Sequence, residues 1–125
     1  MRLEYEDVST RMSVEAMLEQ VFPTQEEYRA ITRDLIELFR EEATEIEGGK
    51  DVEVSSAVSK LQERGHNRHT VYKVLNEYLV PMGMVNWMKF EGSIQLSKRF
   101  GNALRNFSVS WKNFVDDVEQ GGSAE

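Results

Sequence analysis

The chain has 125 residues, of which 40% are hydrophobic and none is cysteine. This length suits one domain with its own core, and the lack of cysteine excludes a disulfide framework, a thiolate nucleophile and a thiolate metal site. No signal-peptide pattern opens the chain and no stretch approaches the roughly 18 apolar residues of a membrane span, so we expect a soluble cytoplasmic protein without membrane contact.

The net charge of −7 is unevenly distributed along the chain. Residues 1–50 carry six basic and thirteen acidic side chains, residues 51–115 carry nine and five, and residues 116–125 carry four acidic side chains and no basic ones. A basic segment is therefore flanked by two acidic ends. Such a segment can meet a polyanion, although solvated acidic helices beside an ordinary surface would give the same count.

The first predicted helix lies in residues 13–22, where apolar side chains recur at helical spacing. Ser13 is its candidate N-cap, and Pro23 should end it. We assign residues 1–23 to an N-terminal arm that contains this helix.

A long second helix is predicted from Gln25 to residue 47. Thr24 and Glu27 form the Thr-x-x-Glu capping pattern, and the glycines at 48 and 49 should stop the helix. Its apolar stripe consists of Tyr28, Ile31, Leu35, Leu38, Phe39 and Ile46.

The middle of the chain predicts a short strand and two helices. Residues 51–54 alternate like a strand, after which Ser55 or Ser56 can cap a helix that ends at Gly65. The next helix covers residues 68–80 and begins behind His66 or Asn67. Its core-facing positions are Val71, Val74, Leu75, Tyr78 and Leu79.

After Pro81 and Gly83, the runs MVNWMKF and SIQL predict two strands joined by a tight turn at Glu91-Gly92. A last helix is expected over residues 98–118, followed by a disordered acidic tail at 119–125. Residues 24–118 thus form one domain, mainly α with a small β-hairpin (α+β). The last helix carries Phe100, Leu104, Phe107, Trp111, Phe114 and Val115 on one face.

Two blocks of residues resemble a known class of proteins. Thr70-Val71-Tyr72-x-x-Leu75-x-x-Tyr78-Leu79 with Gly83-Met84-Val85 is similar to the recognition helix and first wing strand of winged helix-turn-helix DNA-binding proteins. Ile94-x-Leu96-Ser97-x-x-x-Gly101-x-x-Leu104 resembles the run after the wing in prokaryotic regulators of the MarR, HxlR and PadR type, with the glycine one residue later. The blocks cover residues 51–105.

This resemblance implies sequence-specific binding of double-stranded DNA by a transcriptional regulator. Helix 68–80 would enter the major groove and the 84–97 hairpin would serve as the wing. With the apolar side chains facing the core, we expect base contacts from Arg68 and Asn76 and phosphate contacts from Tyr72 and Lys73. The full set of candidate DNA-binding residues is Arg68, His69, Thr70, Tyr72, Lys73, Asn76, Lys89, Lys98 and Arg99.

Other site chemistry has weaker signals. His66 and His69 are three residues apart, but no cysteine or carboxylate pair supports a metal site there, and we predict no metal and no cofactor. Acidic side chains are numerous, yet no histidine, phosphate loop or nucleophile motif accompanies them, so an enzyme is not predicted.

Partners beyond DNA are also indicated. Helices 25–47 and 98–118 are candidate surfaces of a homodimer, which would place two recognition helices in successive major grooves. Trp87, Met88, Met82 and Met84 are expected in the core, with a small effector pocket as the alternative. The rival function is a winged-helix protein-interaction module in a transcription or replication assembly, whose acidic N-terminal half would suit a protein partner. A third possibility is that the acidic ends shield the basic segment.

Overall fold

The computed structural model describes residues 8–9, 11–46 and 49–121. The protein is mainly helical with a small antiparallel sheet, as predicted. The elements in chain order are α1 (Val14–Val21), α2 (Glu26–Glu42), β1 (Thr44–Ile46), β2 (Gly49–Glu53), α3 (Val54–Glu63), α4 (Arg68–Val74) with a π-turn (Leu75–Leu79), β3 (Val85–Met88), β4 (Ser93–Leu96) and α5 (Arg99–Glu119).

The two N-terminal helices begin in different ways. The Ser13 hydroxyl accepts a hydrogen bond from the Ala16 N–H, which confirms the predicted cap of α1. The capping box predicted for α2 is wrong: Gln25 occupies the N-cap position and makes no side-chain cap bond. The acidic side chains of Glu26 and Glu27 in the first turn favour the helix start through the helix dipole instead.

The C-terminal end of α2 also differs from the prediction of a helix over residues 25–47. The helix ends at Glu42, and Thr44–Ile46 forms a strand that pairs with β2. Backbone pairing with a neighbouring strand therefore replaces the helical turn that periodicity favoured at residues 43–46, and residue 47 lies outside the described residues.

The four strands form one antiparallel sheet in the order β1-β2-β4-β3. Ile94 on β4 pairs with Val52 of β2 on one side and with Trp87 of β3 on the other, so β4 lies between β2 and β3. The predicted strand at 51–54 is confirmed through Glu53, whereas Val54 already begins α3. Neither serine caps that helix, since Glu53 is the N-cap residue and makes no side-chain cap bond.

The helix predicted over residues 68–80 is confirmed through Leu79, with its last part wound as a π-turn. Asn67 caps its start, because its side-chain oxygen accepts from the N–H groups of His69 (2.8 Å) and Thr70 (3.3 Å). The core-facing prediction is confirmed as well. Val71, Val74, Leu75 and Leu79 are buried, and Tyr78 packs partly buried against the core.

The turn of the hairpin is longer than predicted. β3 ends at Met88 and β4 begins at Ser93, so four residues, 89–92, connect the strands. Glu91 N–H donates to the Met88 carbonyl and Gly92 N–H donates to the Lys89 carbonyl, which closes the turn. Gly92 has φ +65°, a backbone conformation that favours glycine.

The core is built mainly from α2, α3, α4 and the inner face of the sheet. Ile31 and Leu35 on α2, Leu61 on α3 and Ile94 on β4 are almost completely buried. The apolar stripe of α2 is thus used inside the monomer. Trp87, Met82 and Met84 pack against this core as partly buried side chains, in agreement with the core prediction.

Helix α5 is confirmed at the predicted position but has no fully buried residue. Its first turn is hydrogen-bonded to the turn that follows α4, because the Phe100 N–H donates to the Gly83 carbonyl at 3.0 Å. From Leu104 onward the aromatic face is exposed. In the part of the chain that the structure describes, no helix combines the length and apolar character needed to cross a membrane.

Candidate nucleic-acid interface

Two stacked aromatic rings with a cation at each end join α4 to the hairpin. The Arg68 guanidinium lies 5.5 Å from the centre of the Tyr72 ring, and the Tyr72 ring stacks against Trp87 with 6.2 Å between centroids and 26° between planes. Lys89 Nζ lies 5.0 Å from the centre of the Trp87 indole. We call these four side chains the cation–aromatic ladder.

The sequence places the ladder residues on one surface for local reasons. Arg68 and Tyr72 are four residues apart on α4, so their side chains lie one above the other on the same helix face. Trp87 lies on β3 and Lys89 is the first residue of the turn that follows it, so the lysine side chain can fold back over the indole. Each cation–π contact at such exposed positions contributes about 0.5–1 kcal/mol, which orders both cationic groups beside the rings.

A groove runs between α4 and the hairpin along this ladder. Tyr72, Asn76, Trp87 and Lys89 line it, together with Glu53, Glu91 and nearby backbone. Asn76 is exposed. The groove therefore combines two aromatic side chains and one amide with one cation and two carboxylates.

A second depression lies on the outward side of α4. It is lined by His69, Thr70, Tyr72, Lys73, Asn76 and Glu77, all on that helix. Lys73 leans toward α2, where its Nζ lies 6.0 Å from the centre of the Tyr28 ring. A hydrogen bond to Tyr28 raises the pKa of Lys73 above its ordinary value of 10.5, and the charges of Tyr28 and Glu77 add to the shift.

Lys98 and Arg99 are not brought together with the ladder. They follow Leu96, which pairs with Val85 at the base of the hairpin, whereas Lys89 lies beyond Met88 at its tip. A strand of four residues spans about 13 Å, so base and tip are separate contact points. Both side chains are exposed.

Two further basic side chains are paired with the acidic face of α2. Lys60 Nζ is bonded to Glu42 Oε1, and Arg64 Nη1 lies 3.0 Å from Glu37 Oε2 and 3.6 Å from Asp34 Oδ1. These partly exposed ion pairs within the chain neutralise part of the acidic charge of α2. None of the ion pairs among the described residues involves Arg68, Lys73 or Lys89.

Of the two histidines once considered as metal ligands, His66 is held in another contact. Its Nε2 lies 2.6 Å from Asp34 Oδ2, and both side chains are largely buried at 13% and 16% exposure. His69 is exposed on α4. Over the described ranges, no group of three or more His, Cys, Asp or Glu side chains is arranged to hold a metal ion.

One member of this surface was not among the predicted DNA-binding residues. Trp87 was expected in the core, with a small effector pocket as the alternative, and its spacing of two residues from Lys89 in a predicted strand was the available signal for a shared face. Phe90 was not singled out, yet its side chain is fully exposed in the turn at the hairpin tip. A phenylalanine that lies next to a glycine-containing turn is the sequence signal that identifies such a residue.

Comparison of the chain with protein-family models, with curated proteins and with solved structures gives no match.

Proposed function

We propose that the protein binds double-stranded DNA sequence-specifically as a homodimeric transcriptional regulator of the cytoplasm, with a winged helix-turn-helix as its reading head. Helix α4 enters the major groove, and the 84–97 hairpin lies against the backbone as the wing. The cation–aromatic ladder carries the proposal, because it connects the outward face of α4 to the hairpin and holds a cation at each end of one stacked pair of rings.

The side chains on this surface have the chemistry that each role requires. Arg68 at the first turn of α4 can donate two hydrogen bonds to guanine, and Asn76 can bond adenine through both amide atoms. Thr70 and His69 lie on the same helix beside them. Lys73 is exposed and, like any lysine with a pKa at or above its ordinary value, is protonated at neutral pH, so it suits a phosphate oxygen.

The hairpin supplies two phosphate contacts at different heights. Lys89 lies at the tip beside the groove, whereas Lys98 and Arg99 lie at the base, about 13 Å away. Neighbouring phosphates along one DNA strand are several ångströms apart, so these points would fit separate phosphates. The contacts fix orientation and carry no sequence information.

The charge pattern also supports a polyanionic ligand despite the net charge of −7. Acidic side chains of α2 are engaged with Lys60, Arg64 and His66 on α3 and the turn after it. Arg68, Lys73 and Lys89 take part in none of the ion pairs among the described residues. Glu77 and Glu91 border the basic surface, and a carboxylate there can accept from cytosine or exclude misplaced phosphates.

The proposal is tested by fluorescence anisotropy with labelled duplexes at several salt concentrations. Arg68→Ala and Lys89→Ala should each weaken binding at least tenfold, and Lys89→Ala should also lower the salt slope by about one. Lys112→Ala removes the same charge from α5 and serves as the matched control, with no effect expected. A selected duplex should bind far more tightly than a random one. Circular dichroism confirms that each variant is folded.

A protein-interaction module is the second candidate, and the fully exposed Phe90 beside Glu91 is the observation that favours it. An apolar ring at a loop tip is a common anchor for a protein pocket. The DNA proposal would be refuted if the folded parent did not bind duplex DNA at low salt, or if Arg68→Ala and Lys89→Ala bound it as tightly as the parent. Either result would favour the protein-interaction function.

A further inference from the structure

Helix α5 carries an apolar seam with a coiled-coil spacing. Its members recur at intervals of four, three, four, three and four residues, the repeat in which apolar positions face a partner helix over many turns. We call this set the α5 seam: Phe100, Leu104, Phe107, Trp111, Phe114 and Val118.

Most of the α5 seam has no cover in the described protein. Phe107 is 75% exposed and Trp111 is 60% exposed, and Phe114 and Val118 are about half exposed. Trp111 and Phe114 stack only on each other, with 5.7 Å between ring centroids. A contiguous exposed apolar strip of this kind marks an interaction surface.

We infer that the α5 seam pairs antiparallel with the α5 seam of a second copy of this chain. The inference rests on the homodimer of the proposed function and identifies its surface and orientation. Helix α2, the other candidate pairing surface, is excluded from that role because its stripe is buried in the monomer core.

Charge complementarity determines the antiparallel orientation. The N-terminal half of α5 and its approach carry Lys98, Arg99 and Arg105, whereas the C-terminal end carries Asp116, Asp117 and Glu119. An antiparallel pair places each basic end beside an acidic end, and the two helix dipoles also oppose each other favourably. A parallel pair would bring like charges together at both ends.

The seam positions match in this orientation. The two-fold axis would cross the seam at the level of residue 109, whose own side chain is on the opposite face of the helix. Phe107 of one copy then lies opposite Trp111 of the other. Leu104 then lies opposite Phe114, and Phe100 lies opposite Val118. The positions that flank the seam are mostly small, so the two helices can approach closely: Gly101, Ala103, Ser108 and Ser110.

An apolar groove at the start of α5 provides a place for the far end of the second helix. Tyr78, Met82, Phe100 and Leu104 contribute to its lining. In the antiparallel register, the groove lies where Val118 of the second copy arrives. The seam and the groove therefore form one continuous apolar surface.

The area available is sufficient for a specific pair. A whole aromatic side chain can bury about 150–250 Å², so the exposed parts of Phe107, Trp111 and Phe114 amount to on the order of 350 Å² per copy. Two copies, with Leu104, Val118 and the small flanking side chains, reach on the order of 1,000 Å², where biological interfaces begin.

The arrangement also has a consequence for the proposed DNA binding. Each α5 is attached to its domain at Arg99, and the register places this residue opposite Glu119 of the second copy. Twenty residues of helix span about 30 Å. The two attachment points would thus be about 30 Å apart, close to the spacing of successive major grooves, about 34 Å.

Sedimentation velocity of the full chain without DNA tests the pairing. The parent should sediment as a dimer, and Trp111→Asp should sediment as a monomer. Val109→Asp is the matched control, since Val109 is 51% exposed on the same helix but lies outside the seam, and it should stay dimeric. A monomeric parent, or a Trp111→Asp variant that remains dimeric while folded by circular dichroism, would overturn the inference.

The orientation is tested with a spin label, because the chain has no cysteine of its own. A label on Gln120→Cys, which leaves the charged side chains of α5 in place, should report a distance of about 30 Å or more between copies in the antiparallel pair. A distance under about 20 Å would show a parallel pair and refute the orientation, since paired helices lie 8–10 Å apart.

The two proposals fail in different ways. A dimer of the expected geometry that does not bind duplex DNA would leave the α5 pairing standing and refute the DNA proposal. A monomer that binds DNA with the expected effect of Arg68→Ala would do the reverse.

Discussion

Gly83 lies in the turn that follows α4 and packs against the first turn of α5. Replacing it with alanine should lower the free energy of unfolding by an unusually large amount. Its φ of +84° lies in the left-handed region. A Cβ at this position would meet Arg99 Cβ at 2.9 Å and the Phe100 nitrogen at 3.0 Å. Both neighbours belong to the first turn of α5, which the Phe100 N–H bond to the Gly83 carbonyl holds in place.

The magnitude follows from two separate terms. An L-residue in the left-handed region costs roughly 1–2 kcal/mol. Inserting a methyl group into a packed contact costs about 1–3 kcal/mol more, because α5 must shift to admit it. Gly92 provides the comparison: its φ is +65°, but a Cβ there meets nothing within 4 Å. We expect a loss of about 2–5 kcal/mol for Gly83→Ala and about 1–2 kcal/mol for Gly92→Ala.

Urea unfolding followed by circular dichroism measures both free energies. Both variants lose a glycine from the unfolded chain, so the change in unfolded-state entropy is similar and largely cancels in the comparison. Gly83→Ala should have the lower midpoint by a clear margin, with an unchanged slope. Equal midpoints for the two variants would refute the close contact between Gly83 and the first turn of α5.

Three further predictions concern single contacts. His66→Ala should reduce the free energy of unfolding by about 1–2 kcal/mol, because it leaves the largely buried Asp34 carboxylate without its 2.6 Å partner; an unchanged urea midpoint would contradict this. Phe90→Ala should leave the thermal midpoint unchanged, since the ring is fully exposed; a lowered midpoint would mean that the ring packs in the monomer. The raised pKa of Lys73 implies a contribution to the free energy of unfolding that is present below pH 10.5 and lost as the pH rises through the folded-state pKa. Tyr28→Phe should remove most of this loss of stability at high pH and lower the Lys73 pKa measured by NMR.

The buried face of α4 could be predicted from the sequence because helical periodicity is a local property. Val71, Leu75 and Leu79 recur every four residues, and only one face of a helix can hold them all. The same reasoning placed Arg68 and Asn76 outward. The extent of α5 followed likewise from its repeat.

Other features depend on residues far apart in the chain. Helix α2 ends at Glu42 because the next residues pair with β2, and no local pattern announces a backbone partner. The ion pair between Arg64 and Glu37 on α2 depends on the packing of two helices, because the two residues are 27 positions apart in the sequence. The separation of Lys98 from Lys89 depended on the strand register, which a list of basic residues does not contain.

By itself, the sequence determined the order of most elements, the inward face of α4 and the segregation of charge, since these depend on composition and on the spacing of near neighbours. Only the tertiary structure decided which cations are neutralised internally, that Trp87 links Tyr72 to Lys89, and that the α2 stripe is buried while the α5 seam is exposed. Side chains from separate elements meet only after the backbone has folded, so the surfaces they form are a property of packing and not of periodicity.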